Sequence, residues 1–154
     1  MTRHLAHFNF ARLAWPVDDP RVAGFLKGRD PIRRIAEASP GFVWKQEAGA
    51  GEGTVAGDPG LLLSLSVWES VEALAHFAWN TLHKRFWMKR AEWFEPSKGT
   101  NFAMWWVPIG HRPSYDEAWD RIGRRERNGD SDEAFGWDWV SMRSPVQQQP
   151  VAAG

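Results

Sequence analysis

The 154-residue chain contains no cysteine, which excludes disulfides, thiolate metal sites and cysteine nucleophiles together. A reducing cytoplasm is the setting that this composition fits. Neither sign of charge is in excess: Lys plus Arg and Asp plus Glu each total 19. No net field therefore draws in nucleic acid or an anionic membrane. Long apolar runs are missing as well. The most apolar stretch, Gly60 to Trp68, is interrupted by Ser64 and Ser66 and falls far short of the roughly 20 residues that span a bilayer. The N-terminus lacks the uninterrupted apolar region and small-residue cleavage site of a secretory signal, so it reads as mature soluble protein. Gly-x-Ser-x-Gly is absent, which removes an α/β-hydrolase nucleophile. Gly49-x-Gly51-x-Gly53 is followed by no helix that could present its N-terminus to a phosphate.

What the chain has in abundance is tryptophan. Six of its eleven lie between Trp68 and Trp106, interleaved with His76 and His83. The length suits one domain that buries roughly two thirds of its unfolded surface. His4 to Trp15 reads as a first strand stopping at Pro16, with a more polar face carrying His7 and Asn9 and a less polar one carrying Phe8 and Phe10. Asp19-Pro20 and Asp30-Pro31 each predict the start of a short helix, a capping side chain standing before a proline at the first helical position. Phe42 to Gln46 reads as a short strand, and the five glycines of 47–60 as a hairpin-like connection.

Alternation over Leu61 to Trp68 predicts the third strand. Ser70 can cap the next helix, whose Val71, Leu74, Ala75, Ala78, Leu82 and Phe86 recur at spacings of three and four. Asn80-Thr81 can break it into two helices in tandem. Asn101 to Val107 is the fourth strand. Ser114 and Glu117 form a capping box for a charged helix that ends at Asn128-Gly129. Beyond it, Phe135, Trp137 and Trp139 form an aromatic arm that docks on its own domain or on a partner. The order predicts an α+β, ferredoxin-like split βαβ (βαββαβ) fold as a single domain over 1–142, with a core at 4–108, the added helix and arm at 114–142, and a disordered tail at 143–154. With helices on one sheet face, the other needs a cover, and a homodimer pairing two sheets would supply it.

Val67-Trp68-Glu69-Ser70, then Glu72-Ala73-Leu74 and Leu82-His83, resemble the third strand and second helix of the antibiotic-biosynthesis-monooxygenase type of dimeric α/β barrel. Through NFARL, DDPRVAGF, EASPGFVW, LSVWESVEAL, EWFEP, MWWVP and GHRPSYDEA, the chain to about Phe135 resembles a bacterial family of unknown function in that superfamily. The resemblance implies a pocket between the sheet and the second helix. It also implies several chemistries: cofactor-independent oxygenation of polyketide phenols, haem degradation, haem-dependent reactions, or none. In haem-degrading members an asparagine on the first strand and a histidine on the second helix flank the ligand, places similar to those of Asn9 and His83. Here His83 comes earlier along the helix, and Phe77 stands where those enzymes keep a tryptophan.

On one unbroken helix His76, Trp79, His83, Trp87 and Arg90 would share a stripe. Two histidines seven residues apart are separated by about 10.5 Å along it, too far for one small ion. The His-x3-His spacing of helical zinc sites is also missing, so no metal is expected. Haem needs only one axial histidine. The leading expectation is a cytoplasmic homodimer that binds a small flat hydrophobic or aromatic molecule and oxidises it without a cofactor. His83 would be the base and Asn9 the oxyanion partner, with Trp79, Trp87, Trp105, His76, Phe10 and Arg90 around the substrate. The alternatives are a haem protein with His83 as axial ligand and a carrier that does no chemistry. Trp105 and Trp106 point to opposite sheet faces, so only one of them can meet the ligand.

Overall fold

Period-two alternation along four segments builds an antiparallel sheet. The computed structural model describes residues 3–46, 54–55 and 58–143. Strands β1 (Arg3–Arg12), β2 (Phe42–Lys45), β4 (Asp58–Trp68) and β5 (Phe102–Pro108) lie in the order β2-β4-β1-β5. The two-residue β3 (Thr54–Val55) pairs with β4. With α1 (Ala23–Ala38) between β1 and β2 and α2 (Val71–Asn80) after β4, this is the ferredoxin-like order that the sequence predicts. The glycine motif at 49–53 and all of the expected 143–154 tail except Arg143, which is helical, lie outside the described residues. Among the described residues no helix is long and apolar enough to cross a membrane.

The helix starts are capped as the sequence implies. Ser70 Oγ accepts from Ala73 N at 3.1 Å, and Ser114 Oγ accepts from Glu117 N at 3.1 Å at the head of α5 (Tyr115–Asn128). One helical expectation is corrected and one alternative is resolved. Asp30-Pro31 starts nothing, because α1 runs through Pro31 as one helix of 16 residues from a 3₁₀ turn that Asp19 caps. The backbone bond that Pro31 omits would have gone to Lys27, and both residues lie on the exposed side, where water serves the freed carbonyl. The second helix does break. Thr81 takes an extended conformation, donates Oγ1–H to Phe77 O at 2.6 Å and accepts from His83 N at 3.2 Å. Its side chain thus closes α2 and opens α3 (Leu82–Met88), which leads into the short α4 (Arg90–Trp93).

One sheet face is covered by α1, α2 and the C-terminal arm. Leu5, Trp68 and Met104 pack there against Ala36, Leu74, Phe77, Phe135 and Val140. The arm continues into α6 (Trp137–Arg143), so it docks on its own chain. The opposite face, for which a partner sheet was expected as cover, is roofed by the chain's own α5. Ala118 and Ile122 pack on Ala6, Phe8, Leu65, Ala103 and Trp105.

Gly41 joins α1 to β2 at φ +86°, and a Cβ there would come within 2.4 Å of Ala73 Cβ on α2. Left-handed strain and overpacking then add, so Gly41→Ala is expected to cost roughly 2–4 kcal/mol of unfolding free energy. Urea denaturation checks this, and an unchanged midpoint would contradict it.

Candidate functional site

The helix-covered sheet face is not apolar along its whole length. At one end lies the cluster around Leu5 and Trp68, and at the other Leu13 and Leu62 meet Val22, Phe25, Leu26 and Phe94. Between the two runs a polar band. Alternation puts Leu5, His7 and Asn9 of β1 on this face together with Leu62, Ser64, Ser66 and Trp68 of β4. The register sets His7 opposite Ser66 and Asn9 opposite Ser64. Lys45 joins from β2, donating Nζ–H to Ser64 Oγ at 2.8 Å. Ser66 Oγ accepts from Trp68 Nε1 at 3.0 Å.

His83 enters from the first turn of α3, where the break at Thr81 redirects the chain. Its ring lies 4.7 Å from that of Phe77. Nδ1 is 3.1 Å from Ala78 O, a contact that favours the proton on Nδ1 and leaves the Nε2 lone pair free. Burial pushes the His83 pKa below its ordinary value, opposed by the Ala78 carbonyl and helped by the charge of Lys45. Burial, followed by the charges of His83 and Lys45, pushes His7 down to about 3. Lys45 is lowered to about 8 by burial and by Arg33 and Arg29, with Glu37 opposing. Near neutral pH the band therefore holds two uncharged imidazoles beside one cation. That combination can take a proton from a bound molecule and stabilise the anion left behind.

Asn9 is exposed although it stands on a central strand between Ser64 and Phe102. A side chain there meets solvent only where nothing roofs the sheet, so the band opens outward at Asn9. The other predicted residues separate into groups. Trp79 and Trp87 meet edge to face at 5.1 Å, Trp79 lies 6.2 Å from Trp137, and the Arg90 guanidinium stacks 3.5 Å above Trp87. They form an outer cluster, with Trp87 41% exposed. His76 is exposed too. The expected common stripe required one unbroken helix, and Thr81 removes it.

Phe10 and Trp105 are on the wrong side of the sheet to share a pocket with His83. Phe10 packs on Trp119 at 4.9 Å, and the fully buried Trp105 donates Nε1–H to Glu117 Oε2 at 2.8 Å. Trp106, opposite Leu5, is the member of the pair on the His7 face. Sequence reasoning missed His7, Lys45 and Ser64 as site residues. The available signal was the pair of serines interrupting the helix-facing side of an otherwise apolar strand. Among the described residues no group of three or more histidine and carboxylate side chains is arranged to hold a metal ion.

Residues 4–151 match the family model "Domain of unknown function (DUF3291)". No curated protein matches the chain. Among solved structures, an antibiotic-biosynthesis-monooxygenase-like protein of Nitrosomonas europaea aligns with a TM-score of 0.52 at 12% identity, covering 74% of this chain and 97% of that one. A protein of Pseudomonas aeruginosa aligns with a TM-score of 0.49 at 14% identity, covering 74% and 97%. A second Nitrosomonas europaea protein, of unknown function, gives 0.46 at 10%, covering 73% and 95%. At these identities the likeness is one of fold.

Proposed function

The chain belongs to the DUF3291 family, and from the polar band within its ferredoxin-like fold we propose that it binds a small flat aromatic molecule between the sheet and α3 and oxidises it without a cofactor. The observation that carries this reading is the band itself. A face meant only for packing would continue the apolar pattern of its two ends, whereas His7, Ser64, Lys45 and His83 desolvate polar groups at its centre. The band is also reachable, since Asn9 at its edge is exposed.

In this reading His83, neutral through burial, removes a proton from an acidic methylene of a polycyclic phenol. The resulting carbanion supplies electrons to O₂. One oxygen atom becomes the new carbonyl oxygen and the other leaves as water, so CH₂ plus O₂ gives C=O plus H₂O, and all four electrons come from the methylene carbon. Asn9 hydrogen-bonds the enolate oxygen from the open side, and Phe77 walls the ring. His83→Ala is expected to lower oxygen consumption on an anthrone-type substrate by about 100-fold or more. Unchanged turnover would remove His83 from the mechanism, and binding without oxygen consumption would make the protein a carrier.

One observation favours a second reading, haem held by His83. Anchoring Nδ1 on a backbone carbonyl is how ligating histidines fix their free nitrogen. Haem would supply one-electron and oxygen chemistry at its iron. A Soret band on haem titration that is lost in His83→Ala supports this reading, and its absence from the wild type ends it.

A further inference from the structure

Lys45 stands on an edge strand, where lysine ordinarily points to water. Here it turns inward, across β4 to Ser64. Resting on the reading of the polar band as a ligand site, we propose that the ligand is an aromatic carboxylate, its two oxygens taken by Lys45 Nζ and Ser64 Oγ.

Three observations lead there. Among the described residues Lys45 has no ion-pair partner, and its hydrogen bond goes to a neutral hydroxyl. The titratable groups facing it are Arg29, Arg33 and Glu37 of α1, His7 of β1 and His83 of α3, and Arg112 lines the same depression. Both imidazoles are neutral near pH 7, and Arg33 Nε is buried without a hydrogen-bond partner among the described residues. A desolvated cation set this way favours an anion as its third member. Secondly, the donors match the guest. Ser64 Oγ accepts from Lys45, so its own hydrogen is free to be donated, and the two donor atoms stand 2.8 Å apart. That spacing suits the two oxygens of one carboxylate. Thirdly, there is a way in. An open depression of about 440 Å³ runs along β2 and is lined by Glu37, Phe42, Trp44, Lys45 and Arg112. An anion can reach the ammonium along it.

The test is calorimetric titration of the full chain with 2-naphthoate and with its neutral counterpart 2-naphthalenemethanol. Wild-type protein is expected to bind the carboxylate at least tenfold more tightly at pH 7. Lys45→Met should remove that preference and leave the alcohol unaffected, whereas Lys45→Arg should keep most of it. Naphthoate affinity should fall as pH rises from 8 to 10 in the wild type but not in Lys45→Arg, since guanidinium stays charged. Should Lys45→Met fail to fold, this pH contrast decides alone. Both probes binding without preference, or a preference that survives Lys45→Met, would overturn the carboxylate and leave the ligand site standing. If neither probe binds, the ligand site falls and the carboxylate with it.

Discussion

Acidification from pH 6.5 to about 3 is expected to remove several kcal/mol of folding stability through one side chain, His7, and a His7→Gln variant should lose much less over the same interval. Burial is the main cause. It holds the His7 pKa in the folded protein at about 3 against 6.5 for the free group. Between those values the unfolded chain binds a proton that the native state refuses. Stability therefore rises with pH across the window. His7 imposes no penalty above 6.5, and the penalty is complete below 3. At about 1.4 kcal/mol per unit the ceiling is near 5 kcal/mol, and relaxation around the ring will lower it. His83, also lowered by burial, adds in the same direction. Carboxylates contribute to acid unfolding in any protein, so the informative quantity is a difference. Urea unfolding of wild type and His7→Gln at pH 7, 5 and 4 should show the gap between them shifting in the variant's favour as pH falls. Parallel curves would mean that the imidazole is hydrated rather than enclosed.

Much of this fold could be read from residue patterns because its determinants are local. Ser70 and Ser114 cap the helices at which they stand, and the alternation of Leu61 to Trp68 needs only pleat geometry. Asp30-Pro31 carries an equally local signal, yet helix propagation from the Asp19-capped turn overrides it. The site was legible only in part, because its geometry depends on events that shift parity. Thr81 resets the angular register between Trp79 and His83, so residues sharing a line on an ideal helix diverge. Trp79 at the end of α2 meets Trp87 of α3 edge to face across the break, while the imidazole meets Phe77. A bulge between Phe42 and Trp44 does the same to β2. Unbroken alternation would put Trp44 on the face of Phe42 and send Lys45 to the other. The extra residue reverses both, leaving Trp44 toward α5 and Lys45 beside Ser64. Nothing in Phe42-Val43-Trp44-Lys45 announces that slip. Trp105 was misplaced for a third reason: aromatic character says that a residue is buried, not on which side of a sheet, whereas the alternation of β1 already set Phe10 on the face opposite Asn9.

Phe135→Ala is expected to cost about 3–5 kcal/mol and to lower the melting temperature by roughly 10 °C, an effect of core rather than surface size. The residue lies in an arm without sequence periodicity, 27 positions beyond the end of β5, yet it is fully buried. Its backbone exchanges two hydrogen bonds with Met104, each 2.9 Å, so the arm lies along the outer edge of β5 and satisfies groups that would otherwise be open to another strand. The ring sits 6.1 Å from that of Trp106 and packs in the same cluster as Leu5, Trp68 and Val140. Arg125 fixes the approach from α5, donating to Asp130 Oδ1 and to Phe102 O at 2.8 and 2.9 Å. Removing the ring leaves a cavity that the doubly anchored backbone cannot close, which sets the cost toward the upper end of the range for such truncations. Trp87→Ala is the fitting control, since that ring is 41% exposed and its loss should cost less than about 1 kcal/mol. Thermal and urea melts of the two variants settle the role of the arm. If Phe135→Ala unfolds at the wild-type midpoint while the sedimentation behaviour changes, the arm serves association between chains rather than the core of its own.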